Sequence, residues 1–186
     1  MTAKPPEELD QLQAMRILVV EDSKYMRTLL RGLLQSYGVR EVLEAGDGSE
    51  ALKIVMASPP DAIVCDLQMM PMNGLEFVDL VRKAENSPNR FMPIVMITAN
   101  PSRETVAAAR DAGVSEFLAK PVTAEALLSR LLAAIKPRPF VETRKFFGPD
   151  RRRKDDPKYP GPERRETEPE DVDVDLPAKP KPPKSS

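Results

Sequence analysis

The sequence predicts an α/β fold, with a parallel sheet covered by helices on both faces. Three observations lead there. Five short apolar runs, at 17–20, 42–45, 62–65, 94–97 and 116–119, are separated by stretches whose apolar residues fall at helical spacing. Several of these runs are continuous rather than alternating, as in strands buried on both sides. About 120 residues thus hold five strand–helix units, and units of that kind build parallel sheets.

Each element has its own signal. Ile17-Leu18-Val19-Val20 is a β-branched run suited to a central strand. Met26, Leu29, Leu30, Leu33 and Leu34 then share one helical face, and Gly38 is placed to end that helix. Val42 to Ala45 is the second strand. Ala51, Leu52, Val55 and Met56 mark the second helix, stopped by Pro59-Pro60. Ala62-Ile63-Val64-Cys65 is the third strand, and Leu75, Val78 and Val81 mark the third helix. Ile94-Val95-Met96-Ile97 is the fourth strand. Val106, Ala109 and Arg110 lie on an Ala-rich fourth helix ending at Gly113. Glu116 to Ala119 is the fifth strand. Leu127, Leu128, Leu131, Leu132 and Ile135 form the last helical face, closed by Pro137.

Composition narrows the chemistry. The chain has no histidine and one cysteine, Cys65. Ser-His-Asp and Cys-His catalysis, imidazole metal sites, Cys-cluster zinc sites and an intramolecular disulfide framework are excluded. Cys65, inside a β-run, reads as a small buried hydrophobe. No run approaches the length of a membrane-spanning helix, and Met1 to Gln13 has no signal-peptide core, so a cytoplasmic protein is expected.

Charge and proline divide the chain into three parts. Residues 1–14 are a polar N-terminal extension, 15–136 a globular domain, and 137–186 a tail. The tail holds 11 of the 20 prolines, a basic block (ten basic and five acidic residues at 137–165), then an acidic block (six carboxylates at 166–178). So little apolar surface cannot offset the entropy of ordering, and most of the tail is expected to be disordered. Phe140, Val141, Phe146 and Phe147 could dock back onto the domain.

The residues that end the strands carry the chemistry. Glu21-Asp22 follows the first strand, Asp66 the third and Thr98 the fourth, and Lys120-Pro121 follows the fifth. In a parallel sheet these converge on one edge, where such folds bind ligands. Carboxylates held close need a cation. With oxygen donors only, a hard ion fits: Mg²⁺, with Mn²⁺ or Ca²⁺ as substitutes. A Lys ammonium and a Thr hydroxyl suit phosphoryl oxygens, and Asp66 can serve as nucleophile.

The set Val19-Val20-Glu21-Asp22, Asp66-Leu67-Gln68-Met69 with Met72-Asn73-Gly74, Ile97-Thr98-Ala99 and Lys120-Pro121 resembles the receiver domain of two-component response regulators. The match covers residues 15–136 and implies a flavodoxin-like (βα)5 sheet of order 2-1-3-4-5. The resemblance makes Asp66 the phosphoacceptor. Asp22, Asp66 and the backbone carbonyl of Gln68 become Mg²⁺ ligands, and Glu21 acts indirectly. Thr98 is the switch hydroxyl, Lys120 the phosphate-binding lysine, Phe117 the aromatic switch, and the Lys120–Pro121 bond is cis. Gln68 and Asn100 occupy positions that tune self-dephosphorylation. The implied phosphate donor is a sensor histidine kinase or phosphotransfer protein. The implied output is a downstream protein bound by the face of the fourth helix, fifth strand and last helix. One departure is Met70, which stands where the family has proline, with Pro71 one residue later.

Alternatives remain beside this reading. A phosphatase of the haloacid dehalogenase type is an enzyme with a similar nucleophile. It needs a second Asp where Gln68 stands, so the expectation is a signalling protein and not an enzyme. Fifty Pro-rich residues cannot form a DNA-binding domain, so a stand-alone receiver is expected. The tail repeats Gly148-Pro149-Asp150-Arg151-Arg152-Arg153 as Gly161-Pro162-Glu163-Arg164-Arg165. It resembles extensions of alphaproteobacterial stand-alone receivers. It reads as a solvated linker, a docking peptide for a protein, or an arginine site for an anion such as cyclic di-GMP.

Overall fold

The computed structural model describes residues 6–142, 147–150 and 170–172 of the 186-residue chain. Helix α1 (Pro6–Ala14) precedes five strand–helix units. These are β1 (Arg16–Val20) with α2 (Lys24–Ser36), β2 (Glu41–Ala45) with α3 (Gly48–Ala57), and β3 (Ala62–Asp66) with α4 (Gly74–Lys83). The last two are β4 (Ile94–Thr98) with α5 (Arg103–Asp111) and β5 (Glu116–Ala119) with α6 (Ala124–Ile135). Three short strands follow: β6 (Phe140–Glu142), β7 (Phe147–Pro149) and β8 (Glu170–Val172).

The first five strands form one parallel sheet in the order β2-β1-β3-β4-β5, the flavodoxin-like arrangement. The strand period of two feeds two separate cores. Ile17 and Val19 of β1 face Leu30 and Leu34 of α2 and Leu127 and Leu131 of α6. Leu18 and Val20 face the opposite layer, with Val55 of α3 and Phe77 and Val81 of α4. Both faces of β1 are therefore buried, which is why its run is continuous rather than alternating. Each fully buried leucine or isoleucine here contributes about 2 kcal/mol.

The helices begin where side chains satisfy their free N–H groups. Ser23 accepts from Met26 N, Asp47 from Ser49 N and Glu50 N, Ser102 from Thr105 N, and Thr123 from Ala126 N. Asn73 and Glu76 form a reciprocal capping box at α4. Gly113 follows α5 with φ +90°, a left-handed conformation that other residues adopt only under strain. Among the described residues no helix is long and apolar enough to cross a membrane.

Two terminal segments depart from the sequence expectation. The N-terminal extension contains α1, whose Leu12 is fully buried beside α6 and whose Glu8 pairs with Lys136 at 3.1 Å. Its apolar signal is only Leu9 and Leu12, too sparse to predict a helix; the groove beside α6 supplies the rest. At the other end, Phe140, Val141 and Phe147 dock as the sequence allows. Phe140 and Phe147 pack with Phe91, ring centroids 5.0 to 5.5 Å apart. Phe146 lies outside the described residues.

Strand β8 is the second difference. It comes from the acidic block, where composition predicts disorder, yet pairs antiparallel with β6 opposite β7. The ladder uses backbone groups, so an edge strand needs little apolar side-chain surface once its partner is anchored.

Candidate functional site

The chain order reverses at β1: β2 lies on one side of it and β3 on the other. Helix α2 leaves β1 toward one layer, and α4 leaves β3 toward the other. A crevice opens between them at the carboxyl ends of the strands.

The predicted residues meet there. Glu21 directly follows β1, and its N–H continues the ladder to Ala45 O at 3.1 Å. Asp66 is the last residue of β3. Glu21 is 1% exposed and Asp66 4%, whereas Asp22 is exposed. One carboxylate oxygen from each of the three lies within 4.8 Å of the other two. Lys120, just past β5, reaches between the two buried carboxylates, with Nζ 2.8 Å from Asp66 Oδ1 and 2.9 Å from Glu21 Oε2. The Lys120–Pro121 bond is cis, as the resemblance implies.

The electrostatics follow from burial. Desolvation pushes the Glu21 carboxyl above its usual range, reinforced by the nearby Asp66 charge and only partly offset by the bond from Lys120. Lys120 also loses solvation, but the carboxylates of Asp66 and Glu21 outweigh that loss and hold its pKa above the ordinary value. Cys65 sits behind Asp66; burial and the neighbouring carboxylates raise its thiol far out of the reactive range.

Three carboxylates and one ammonium leave two uncompensated negative charges. The donors are hard oxygens, so the set fits a divalent cation such as Mg²⁺. The Gln68 N–H donates to Asp66 Oδ2 at 3.1 Å, placing that backbone beside the buried carboxylate. Thr98 closes β4, fully buried. Its hydroxyl accepts from Asn100 N at 3.2 Å and its carbonyl from Lys120 N at 2.7 Å.

The loop after Asp66 is held from below. Gly74 N donates to Leu67 O at 3.0 Å, and a Cβ at Gly74 would collide with the Asp66 carbonyl oxygen. Only glycine lets α4 start this close. Met70 is 79% exposed at the rim, and the Met70–Pro71 bond is cis.

Phe117 stands apart from the pocket. It is half-buried, pairs with Met96 across the sheet, and lines a cavity of about 340 Å³ with Val106, Arg110, Arg130 and Arg138. The tail arginines Arg151, Arg152, Arg153, Arg164 and Arg165 lie outside the described residues.

Two arginines carry structure that sequence reasoning missed. Arg27 of α2 donates to the Glu21 carbonyl, and Arg82 of α4 is fully buried among backbone carbonyls. Neither has a sequence signal, because Arg82 meets main-chain oxygens and Arg27 a main-chain oxygen together with the Glu44 carboxylate of another strand.

The carboxyl edge of this sheet thus holds an acidic crevice bridged by a lysine, with oxygen donors suited to a divalent cation. Residues 17–132 match the family described as the response regulator receiver domain, and the chain belongs to that family. It is 33% identical to the chemotaxis protein CheY of Pseudomonas aeruginosa, over 63% of this chain and 93% of that protein. It is 36% identical to the CAI-1 autoinducer sensor kinase/phosphatase CqsS of Vibrio cholerae over 63% of this chain. The chain spans only 17% of CqsS. Among solved structures, Vibrio cholerae CheY4 aligns with TM-score 0.59 and 35% identity, over 64% of this chain and 97% of that one. The receiver domain of the histidine kinase CKI1 from Arabidopsis thaliana, complexed with Mg²⁺ and BeF3⁻, aligns with TM-score 0.59 and 30% identity, covering 68% and 95%.

Proposed function

We propose that this chain is a bacterial response regulator, active in the cytoplasm, that accepts a phosphoryl group on Asp66. The observation that carries the reading is the meeting of Glu21, Asp22 and Asp66 within 4.8 Å, with Lys120 bridging two of them. The donor is a phosphohistidine on a sensor kinase or phosphotransfer protein, because the chain has no histidine of its own.

In the transfer, an Asp66 carboxylate oxygen attacks the phosphorus. A P–O bond forms, the P–N bond breaks, and the imidazole leaves with the electron pair. Lys120 turns from the Asp66 carboxylate to a phosphoryl oxygen, and the Thr98 hydroxyl donates to another. Asp22, Asp66 and the Gln68 carbonyl would hold Mg²⁺, with Glu21 behind them, and the ion, when bound, would supply charge neutralisation for the carboxylates and the incoming phosphoryl group. Phe117 and the α5–β5–α6 face carry the output, by contact with a downstream protein and not by catalysis.

The test is a beryllofluoride titration with Mg²⁺, read by NMR on the wild type and Asp66→Asn. Shifts at Thr98, Phe117 and Lys120 in the wild type alone are expected. An unresponsive wild type overturns the reading.

The repeated Gly-Pro-acid-Arg-Arg element supports a second role, in which the tail binds an anion such as cyclic di-GMP. Titrating cyclic di-GMP against Arg151→Ala, Arg152→Ala and Arg164→Ala variants tests it. Equal weak signals from all of them remove it.

A further inference from the structure

We propose that Arg27 is a positioning residue for the divalent-cation site, acting through the backbone of Glu21. The inference rests on the reading of Glu21, Asp22 and Asp66 as that site.

The physical problem lies at the end of β1. Glu21 N–H still pairs with Ala45 O, but the ladder to β2 ends there: the next donor in register, Asp47 N–H, makes no bond to the Glu21 carbonyl, because the chain turns at Asp47 into the N-cap of α3. The Glu21 carbonyl therefore has no donor from β2, and a shielded carbonyl needs one. Arg27, one turn into α2, supplies it: Nη1 donates to Glu21 O. This is a charge-assisted bond, stronger than a neutral one.

Arg27 is itself aimed. Its Nε lies 3.3 Å from Glu44 Oε2 on β2, and Arg31, one turn further along α2, holds Glu44 Oε1 at 2.6 Å. The planar fork lets one side chain face a carboxylate and a carbonyl at once, which a lysine cannot match. Arg27 thus clamps the Glu21-Asp22-Ser23 turn between β2 and α2. The Glu21 side chain is fixed at both oxygens as well, by Ser23 N at 3.3 Å and Lys120 Nζ at 2.9 Å. Asp22, exposed and on the same turn, takes its aim from this backbone.

Arg31 provides the contrast. It shares Glu44 with Arg27 but, among the described residues, makes no hydrogen bond or ion pair to the turn. A helix-to-strand ion pair alone makes the two arginines equivalent; a positioning role makes them differ.

The test is a MgCl₂ titration of the full chain, followed through the amide resonances of Asp22, Ser23 and Gln68. Thermal midpoints without Mg²⁺ are measured in parallel. Arg27→Ala is expected to bind Mg²⁺ about tenfold more weakly, the scale of outer-sphere ligand supports. Arg31→Ala is expected to keep the wild-type affinity. Phosphorylation of Arg27→Ala by acetyl phosphate is expected to slow at low Mg²⁺ and return to the wild-type rate at saturation. Arg27→Lys, the more conservative fold, is expected to fall between wild type and Arg27→Ala in affinity. Wild-type affinity in Arg27→Ala and Arg27→Lys overturns the proposal, as does an equal loss in Arg31→Ala. A wild type that shows no Mg²⁺ response removes the cation site itself, and the inference with it.

Discussion

The two ends of the central sheet treat buried charge in opposite ways. At the carboxyl end, Glu21 and Asp66 are buried beside Asp22 with one lysine between them, leaving negative charge uncompensated. At the amino end, Arg82 is 0% exposed, and its guanidinium donates to Gly113 O, Arg90 O and Met92 O at 2.7 to 3.0 Å. Its Cζ also lies 5.5 Å from the Phe140 ring centroid. Arg90 stacks 3.8 Å over Phe147 and pairs with Glu142. One end completes its cation with protein dipoles and aromatic rings. The other end keeps an anionic surplus for a ligand. A buried charge met by protein groups is structural; one left in excess marks where chemistry enters.

The sharpest break in this comparison is Asp66→Asn. It removes the proposed nucleophile and is expected to abolish phosphorylation by acetyl phosphate, read by intact mass, while leaving the fold in place. Next is Arg82→Ala, which removes the side-chain donor from three backbone carbonyls, two of them in buried bonds. It is expected to destabilise the domain by about 3–5 kcal/mol in urea unfolding, yet leave the pocket able to react in the folded fraction. Phe147→Ala is expected to cost about 3 kcal/mol and to detach the β6–β7 hairpin, seen as lost amide protection at Val141 and Gly148.

The smallest effect comes from pH. The folded state raises the Glu21 pKa, so its proton is bound more tightly folded than unfolded. That contribution is fully present below the ordinary carboxylate range and is lost as pH rises through the folded value. Glu21→Gln is therefore expected to be more stable than wild type at neutral pH without Mg²⁺. The advantage should shrink as the solution is acidified and reverse when Mg²⁺ is added. Thermal midpoints across pH 4 to 8, roughly the span where such linkage acts, check this. An advantage that persists unchanged in acid would contradict the assignment of excess charge to the carboxyl end.

The carboxyl end was legible in the sequence because strand ends are legible. Asp66 and Thr98 each terminate a five-residue strand, Glu21 and Lys120 follow theirs directly, and a parallel sheet gathers all four at one edge. The amino end was not legible. Arg82 reads as an ordinary charge near the end of a helix, and its partners are carbonyls 8 to 31 residues away in the chain. Arg27 was hidden because it joins a carbonyl at the end of β1 to the Glu44 carboxylate of β2, a pairing only the packed sheet creates. Helix α1 and strand β8 escaped because each depends on a surface that other elements build: α6 for one, β6 for the other.

The sequence by itself determined the alternation of strands and helices and the residues that face the crevice. Hydrophobic period and strand-end position are local properties of the chain. Tertiary structure alone decided which charges are completed and which are left over. It turned Arg82 into a structural tie, Arg27 into a support for the Glu21 turn, and the start of the tail into a docked hairpin. Those outcomes depend on backbone carbonyls and aromatic rings brought together from distant positions, and a main-chain carbonyl is present at every residue whatever its side chain.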